Sequence, residues 1–162
     1  MKIYRLYRQQ ILALPINEAW RFFSSPYHLN DITPDFFNIR VLSPVPDNIY
    51  AGLMIHYSMK AVFGIPMAWR SEISHCVVPR RFVYEQRIGP FKFWSHEVRL
   101  TEQDGGIVLE DIVFYAMPFG WLGQILNWVL IANKLDKIFA VRRDYLAARW
   151  DVAQRPDIPN FH

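Results

Sequence analysis

The sequence predicts an α+β fold in which a curved antiparallel sheet of seven strands grips a long C-terminal helix, in the order β-α-α-β6-α. Three observations predict it. Between residues 37 and 116, Ser43-Pro44, Asp47-Asn48, Gly64-Ile65-Pro66, Val78-Pro79, Gly89-Pro90 and Asp104-Gly105-Gly106 cut the chain into strand-length runs rich in β-branched and aromatic residues. Downstream, apolar residues at helical spacing continue from residue 120 to about residue 150. Upstream, an alternating run stops at Pro15 and gives way to helical spacing, which places a strand and then helices ahead of the sheet.

The first strand covers residues 2–14, where Tyr, Ile, Leu and Arg alternate until a proline that cannot continue a central strand. Residues 16–24 follow as a helix, with Pro15 ahead and Ile16, Ala19, Trp20 and Phe23 on one face. A second short helical piece, residues 26–32, is ended by Thr33-Pro34. The six further strands are 37–43, 53–63, 67–77, 81–88, 92–102 and 107–116, joined by loops of hairpin length. Alternation turns Ile55, Tyr57 and Met59, then Trp69, Ser71 and Ile73, then Phe82, Tyr84, Gln86 and Ile88, then Trp94, His96, Val98 and Leu100 inward. Arg70, Glu72, Arg81, Glu85, Arg87, Glu97 and Arg99 face water, and a slip of one residue would bury that row of charges. In the last strand Asp111, Val113 and Tyr115 share a face.

The helix from residue 120 carries Trp121, Ile125, Trp128, Leu135, Phe139 and Leu146 on one side. Its first half is apolar almost all round, as a helix lying in the grip of a curved sheet would be. Lys134, Lys137, Arg142, Arg143 and Arg149, interrupted by Asp136 and Asp144, read as its solvated face.

Composition narrows the function classes. The length of 162 residues suits one domain, expected at 1–150, with a flexible tail at 151–162 that contains two prolines. Aromatic residues make up 16% of the chain, a load that either fills a solid core or lines a cavity. The net charge of +3 is spread along the chain rather than gathered into a stripe, so no nucleic-acid partner is expected. Cys76 stands alone, which excludes an intrachain disulfide and a cysteine zinc site and fits a reducing compartment. The start Met1-Lys2-Ile3-Tyr4-Arg5 lacks the pattern of a secretory signal, and a cytoplasmic location is expected. The longest apolar run, residues 117–132, includes Gln124 and Asn127 and falls short of the ~20 residues that span a bilayer.

Pro15 before Glu18-Ala19-Trp20-Arg21-Phe22-Phe23, then Pro26, Leu29, Ile32-Thr33-Pro34, Gly52, Trp69, Gln86, Gly89-Pro90, Trp94, His96, Asp111, Tyr115 and Pro118-Phe119-Gly120 stand in an order that carries a resemblance. Over residues 1 to about 145 the chain resembles the ligand-binding SRPBCC domain proteins of bacteria, in the superfamily of START domains, polyketide cyclases and the birch-pollen allergen. The resemblance implies the helix-grip fold and an internal cavity between sheet and C-terminal helix. The ligand so implied is a hydrophobic or amphipathic small molecule: a lipid, isoprenoid, quinone or aromatic polyketide. The superfamily also contains aromatase/cyclases, which makes a cyclase/dehydratase-type enzyme the alternative, with His96 and Asp111 moving protons. A second histidine often follows two positions after His96 in that family, and here Val98 stands there, which weakens a paired-histidine site.

The expected ligand contacts are Ile55, Tyr57, Met59, Trp69, Phe82, Tyr84, Gln86, Trp94, His96, Asp111 and Tyr115 from the sheet, with Ile125 and Trp128 from the helix. An inward imidazole at His96 can hydrogen-bond a ligand or act as general acid/base, or else be satisfied by Asp111 or Gln86. Asp111 lies among Ile, Leu, Val, Phe and Tyr, so its carboxylate must be paired, with His96 or Arg40, or protonated. His28, His56, His75, His96 and His162 are scattered, so neither a metal nor any other cofactor is expected. No Gly-x-Ser-x-Gly elbow surrounds Ser71 or Ser95, and Gly105-Gly106 reads as a hairpin turn rather than a phosphate cradle. A third reading takes residues 119–131 as a contact with a membrane surface or a protein, including a second copy in a homodimer.

Overall fold

The structure is a computed structural model that describes residues 1–60, 64–126 and 130–150. Seven strands form one antiparallel sheet: β1 Tyr4–Leu12, β2 Arg40–Val41, β3 Met54–Lys60, β4 Pro66–Val77, β5 Arg81–Ile88, β6 Phe93–Gln103 and β7 Gly106–Ala116. Their spatial order is β1-β7-β6-β5-β4-β3-β2, a meander to which the first strand returns beside the last. A Cβ on Gly106 would run into the Leu12 carbonyl, so glycine is what lets β7 begin against the end of β1. Register shifts in the β4/β5 ladder, at Arg70/Ser71 and Ile73/His75, mark irregularities of the kind that bend a sheet.

Among the described residues the α-helices are α1 Ile16–Phe23, α2 Gly120–Leu126 and α3 Ala132–Trp150, with 3-10 turns at Pro26–Leu29 and Asp35–Phe37. Helix α1 starts at Pro15, held in extended geometry, and buries Ile16, Ala19, Trp20, Phe22 and Phe23. Helix α3 buries Leu135, Phe139, Arg142 and Leu146, a stripe at intervals of four, three and four residues. Two apolar clusters result. The larger joins α1 to Phe82, Val98, Leu100, Ile107, Leu109 and Leu146, and the other joins Leu6, Trp94, Val113 and Tyr115 to Ile131, Leu135 and Phe139.

One expectation is corrected. The strand expected at 37–43 is reduced to Arg40–Val41, because Asp35–Phe37 forms a 3-10 turn and Asn38 takes a left-handed backbone, φ 43°. The Asn30 side chain stands in for a neighbouring strand at this point: its amide donates to the Ile39 carbonyl at 2.6 Å and its oxygen accepts from the Ile39 N–H at 3.0 Å. Of the long helix expected from residue 120, the described residues show α2, a π-helical turn at Leu130 and Ile131, and α3, while residues 127–129 lie outside them. Phe119 and Gly120 both have positive φ, 64° and 53°, and turn the chain out of β7 so that α2 displays Trp121, Leu122 and Ile125 to solvent. Ile131 and the inner residues of α3 therefore meet the sheet, and Trp121, Leu122 and Ile125 do not. Residues 61–63, at the expected end of the second meander strand, and the tail 151–162 lie outside the described residues.

Candidate functional site

The concave face of the sheet and the inner side of residues 131–142 enclose a cavity of about 430 Å³. That volume lies within the 300 to 1,000 Å³ usual for small-molecule sites. Strands β3 to β6 supply one wall because their inward residues alternate: Ile55, Tyr57 and Met59, then Trp69, Ser71 and Ile73, then Phe82 and Tyr84, then Trp94 and His96. Residues 23–26, Leu29, Ile32 and Phe37 close one side, while Ile131, Leu135, Ile138, Phe139 and Arg142 form the roof. Pro118, Phe119, Ile65 and Lys134 also border the cavity. Tyr57 and Tyr84 sit deep in the protein yet keep accessible surface, because both rings form part of the cavity wall.

Of the residues expected to meet a ligand, Ile55, Tyr57, Met59, Trp69, Phe82, Tyr84, Trp94 and His96 are brought together here. Four others are placed elsewhere. Gln86 braces the following turn: its amide nitrogen donates to the Phe91 carbonyl at 2.7 Å and its oxygen accepts from the Phe91 N–H at 3.3 Å. Tyr115 packs behind the wall, stacked on Tyr4 at 5.3 Å between ring centroids and edge-on to Phe91 at 5.7 Å. Ile125 faces solvent on α2. Asp111 lies behind His96, not in the wall, and borders a smaller cleft of about 150 Å³ beneath α3. Trp128 lies outside the described residues.

The polar end of the cavity is a buried chain of four side chains. Tyr84 pairs with His96 across β5 and β6, and His96 pairs with Val113 across β6 and β7, which sets Asp111 diagonal to His96 on the same face. The Tyr84 hydroxyl is hydrogen-bonded to His96 Nδ1, and His96 Nε2 lies 2.8 Å from Asp111 Oδ1. Arg142 donates through Nη2 to Asp111 Oδ1 at 3.0 Å, and its Nε stands 2.9 Å from Oδ2 without its N–H aligned on that oxygen. The guanidinium also lies over the Phe23 ring, 5.2 Å from its centroid. Arg40, the other expected partner of Asp111, is exposed on β2 at the far edge of the sheet.

The sequence reads Arg142 as part of a solvated face, and the structure instead buries it at 7% exposure. The signal that identifies it is its place three residues after Phe139 and four before Leu146, inside the apolar stripe of α3. Burial by itself raises the Asp111 pKa, but Arg142 and the His96 hydrogen bond outweigh it and hold the carboxyl below its ordinary value. For His96, burial dominates over the pull of Asp111, with Arg142 acting in the same direction as burial, so its pKa is lowered and the imidazole is neutral at pH 7. Burial pushes the phenols of Tyr57 and Tyr84 up, so both carry their protons. Trp69 Nε1 donates to Ser71 Oγ at 2.9 Å, whereas Trp94 Nε1 is buried with no acceptor among the described residues. No cluster of three or more potential metal-ligating side chains occurs among the described residues.

Known structures share this arrangement of sheet and helix. The ginseng major latex-like protein 151 of Panax ginseng superposes with a TM-score of 0.64 at 13% identity, over 90% of this chain and 96% of that one. A protein from Thermus thermophilus matches with a TM-score of 0.66 at 13% identity, over 90% and 98% of the two chains. The di-domain ARO/CYC StfQ of the steffimycin biosynthetic pathway matches with a TM-score of 0.60 at 12% identity, over 91% of this chain. This chain spans about half of that protein, 52% of its length. This is the helix-grip fold. The Bet v 1-like helix-grip architecture is shared at sequence identities too low to carry ligand or chemistry with it. No protein-family model matches the sequence, and no curated protein does.

Two outcomes follow from the buried polar chain. Asp111→Leu alone leaves the Arg142 guanidinium buried without its counter-charge and should cost about 3–5 kcal/mol. The double variant Asp111→Leu, Arg142→Leu should recover most of that loss in denaturant unfolding; a double-variant loss equal to the sum of the Asp111→Leu and Arg142→Leu losses would show that the charges are not coupled. Stability should also fall on acidification in two steps. Below the unfolded histidine pKa of about 6.5 the unfolded chain takes up a proton that folded His96 refuses, and near the unfolded carboxylate value of about 3.9 the same holds for Asp111. His96→Asn should remove the first step in a series of melting temperatures between pH 7.5 and 5, and an unchanged profile would contradict a neutral buried His96.

Proposed function

We propose that the protein binds a hydrophobic or amphipathic small molecule in the cavity between the sheet and α3. The observation that carries this reading is the roughly 430 Å³ space itself, lined mainly by aliphatic and aromatic side chains with a compact polar end at Tyr84, His96 and Arg142. An unfilled apolar space forfeits dispersion contacts all round its lining, which favours an occupant. The size suits a lipid, isoprenoid, quinone or aromatic polyketide, the last being the class suggested by the ARO/CYC name of one structural neighbour. A cyclase-type reaction through His96 and Asp111 is less well supported. Asp111 is engaged by Arg142 and His96, and both nitrogens of His96 are engaged by Asp111 and Tyr84.

Extraction of the purified protein with organic solvent, or its native mass spectrum, should reveal a co-purifying apolar compound. Trp94→Ala should retain less of it through lost contact area. A folded protein that neither carries such a compound nor takes up any apolar probe would overturn the reading.

A second reading rests on α2. Phe119 and Trp121 are 79% and 69% exposed, Leu122, Ile125 and Ile65 are exposed beside them, and Phe119 and Ile65 also border the cavity. Lys60 pairs with Pro66 next to Ile65, and Lys92 adjoins the cavity residue Phe91. Apolar side chains flanked by cations at a cavity mouth suit the surface of an anionic membrane, from which a ligand would enter. Sedimentation with phosphatidylglycerol vesicles should capture the protein, and Trp121→Glu should release it. Equal behaviour with and without vesicles would remove this reading, and a stable dimer in size-exclusion runs would assign the face to a second copy instead.

A further inference from the structure

We propose that Tyr84 is a specificity-determining residue whose hydroxyl oxygen accepts a hydrogen bond from the bound molecule, so that the cavity selects amphipathic ligands bearing an alcohol or phenol O–H over matched ketones and ethers. The inference rests on the cavity-binding reading and deepens it.

The direction of each hydrogen bond in the buried chain is determined from its charged end. Asp111, ionised beside Arg142, can only accept, so the His96 nitrogen facing it, Nε2, must carry a proton. A neutral imidazole has one N–H, which leaves Nδ1 as a bare acceptor. The hydroxyl on that nitrogen is Tyr84, whose single proton is therefore committed to His96. What remains on the Tyr84 oxygen is lone-pair capacity, on a side chain that forms part of the cavity wall. Chains of hydrogen bonds polarise one another, and the carboxylate at the far end makes this oxygen a better acceptor than an isolated phenol.

The other charged and titratable groups around the chain leave that direction unchanged. Facing His96 are Tyr84 from β5, Asp111 from β7, and Arg142 and the edge of Phe139 from α3. Tyr57, on β3 in the same wall, is acted on electrostatically by Tyr84 and makes no hydrogen bond to His96 or Asp111.

Three naphthalenes that differ in one group make the test: 2-naphthol donates, whereas 2-methoxynaphthalene and 2-acetylnaphthalene only accept. The wild-type protein at pH 7.5 should bind 2-naphthol about tenfold more tightly than either of the others, the scale of one buried hydrogen bond. Tyr84→Phe should bring 2-naphthol to within twofold of 2-methoxynaphthalene, with 2-methoxynaphthalene itself little changed. Binding of all three with no preference for 2-naphthol, or a preference that survives in Tyr84→Phe, would overturn the assignment while leaving a ligand cavity in place. Binding of none would overturn both. The ranking in the wild type stands as a test even where Tyr84→Phe does not fold.

Discussion

The constraint on which the structure depends is the burial of one guanidinium, that of Arg142, among apolar side chains. A charge taken out of water costs several kcal/mol unless it is paired, and Asp111 is the carboxylate that pairs it. The pair is not isolated. On β7, Asp111 stands between Leu109 of one apolar cluster and Val113 of the other; on β6, His96 stands between Val98 and Trp94 in the same way; on α3, Arg142 stands between Leu146 and Phe139. A polar layer thus crosses three elements at one height and divides the core in two. Sliding α3 along the sheet by one turn, about 5.4 Å, would set the guanidinium against leucine or valine, so the layer also fixes the register of helix on sheet.

The same layer gives the cavity a buried polar end. Arg142 contributes both to the charge pair and to the cavity wall, and from Asp111 the chain runs through His96 to Tyr84, which also faces the cavity. Residues that hold the helix in place therefore orient the hydroxyl a ligand would meet. Under the proposed function, ligand choice would therefore depend on Asp111 and His96, two buried residues that also hold the helix in place. Phe119 and Ile65 border the cavity while largely exposed, and α2 displays Trp121, Leu122 and Ile125 to solvent.

Much of this is legible in the chain because it follows from strict periods. The alternation of Phe82 and Tyr84 with Arg81, Val83 and Glu85, or of Trp94, His96, Val98 and Leu100 with Ser95, Glu97 and Arg99, has one sheet face as its solution, and the cavity wall comes with it. Side-chain substitution for backbone pairing is not legible: nothing local announces that Asn30 will satisfy Ile39 and replace a strand, or that Gln86 will turn to the Phe91 backbone. Arg142 is misjudged from sequence because a basic residue in a basic helix reads as solvated, and only the partner on a strand 31 residues earlier makes its burial affordable. The exposed face of α2 is hidden by the rule that an all-round apolar segment is buried, a rule that ignores where the preceding turn at Phe119 and Gly120 aims the helix.

A methyl-resolved NMR titration with 2-naphthol distinguishes a ligand in the space between the sheet and α3 from one resting on the exposed face of α2. Binding in the cavity should shift the methyl groups of Ile55, Met59, Ile73 and Leu135, which line it, with little change at Leu122 and Ile125. Shifts confined to Leu122 and Ile125, with the four cavity residues unmoved, would contradict it.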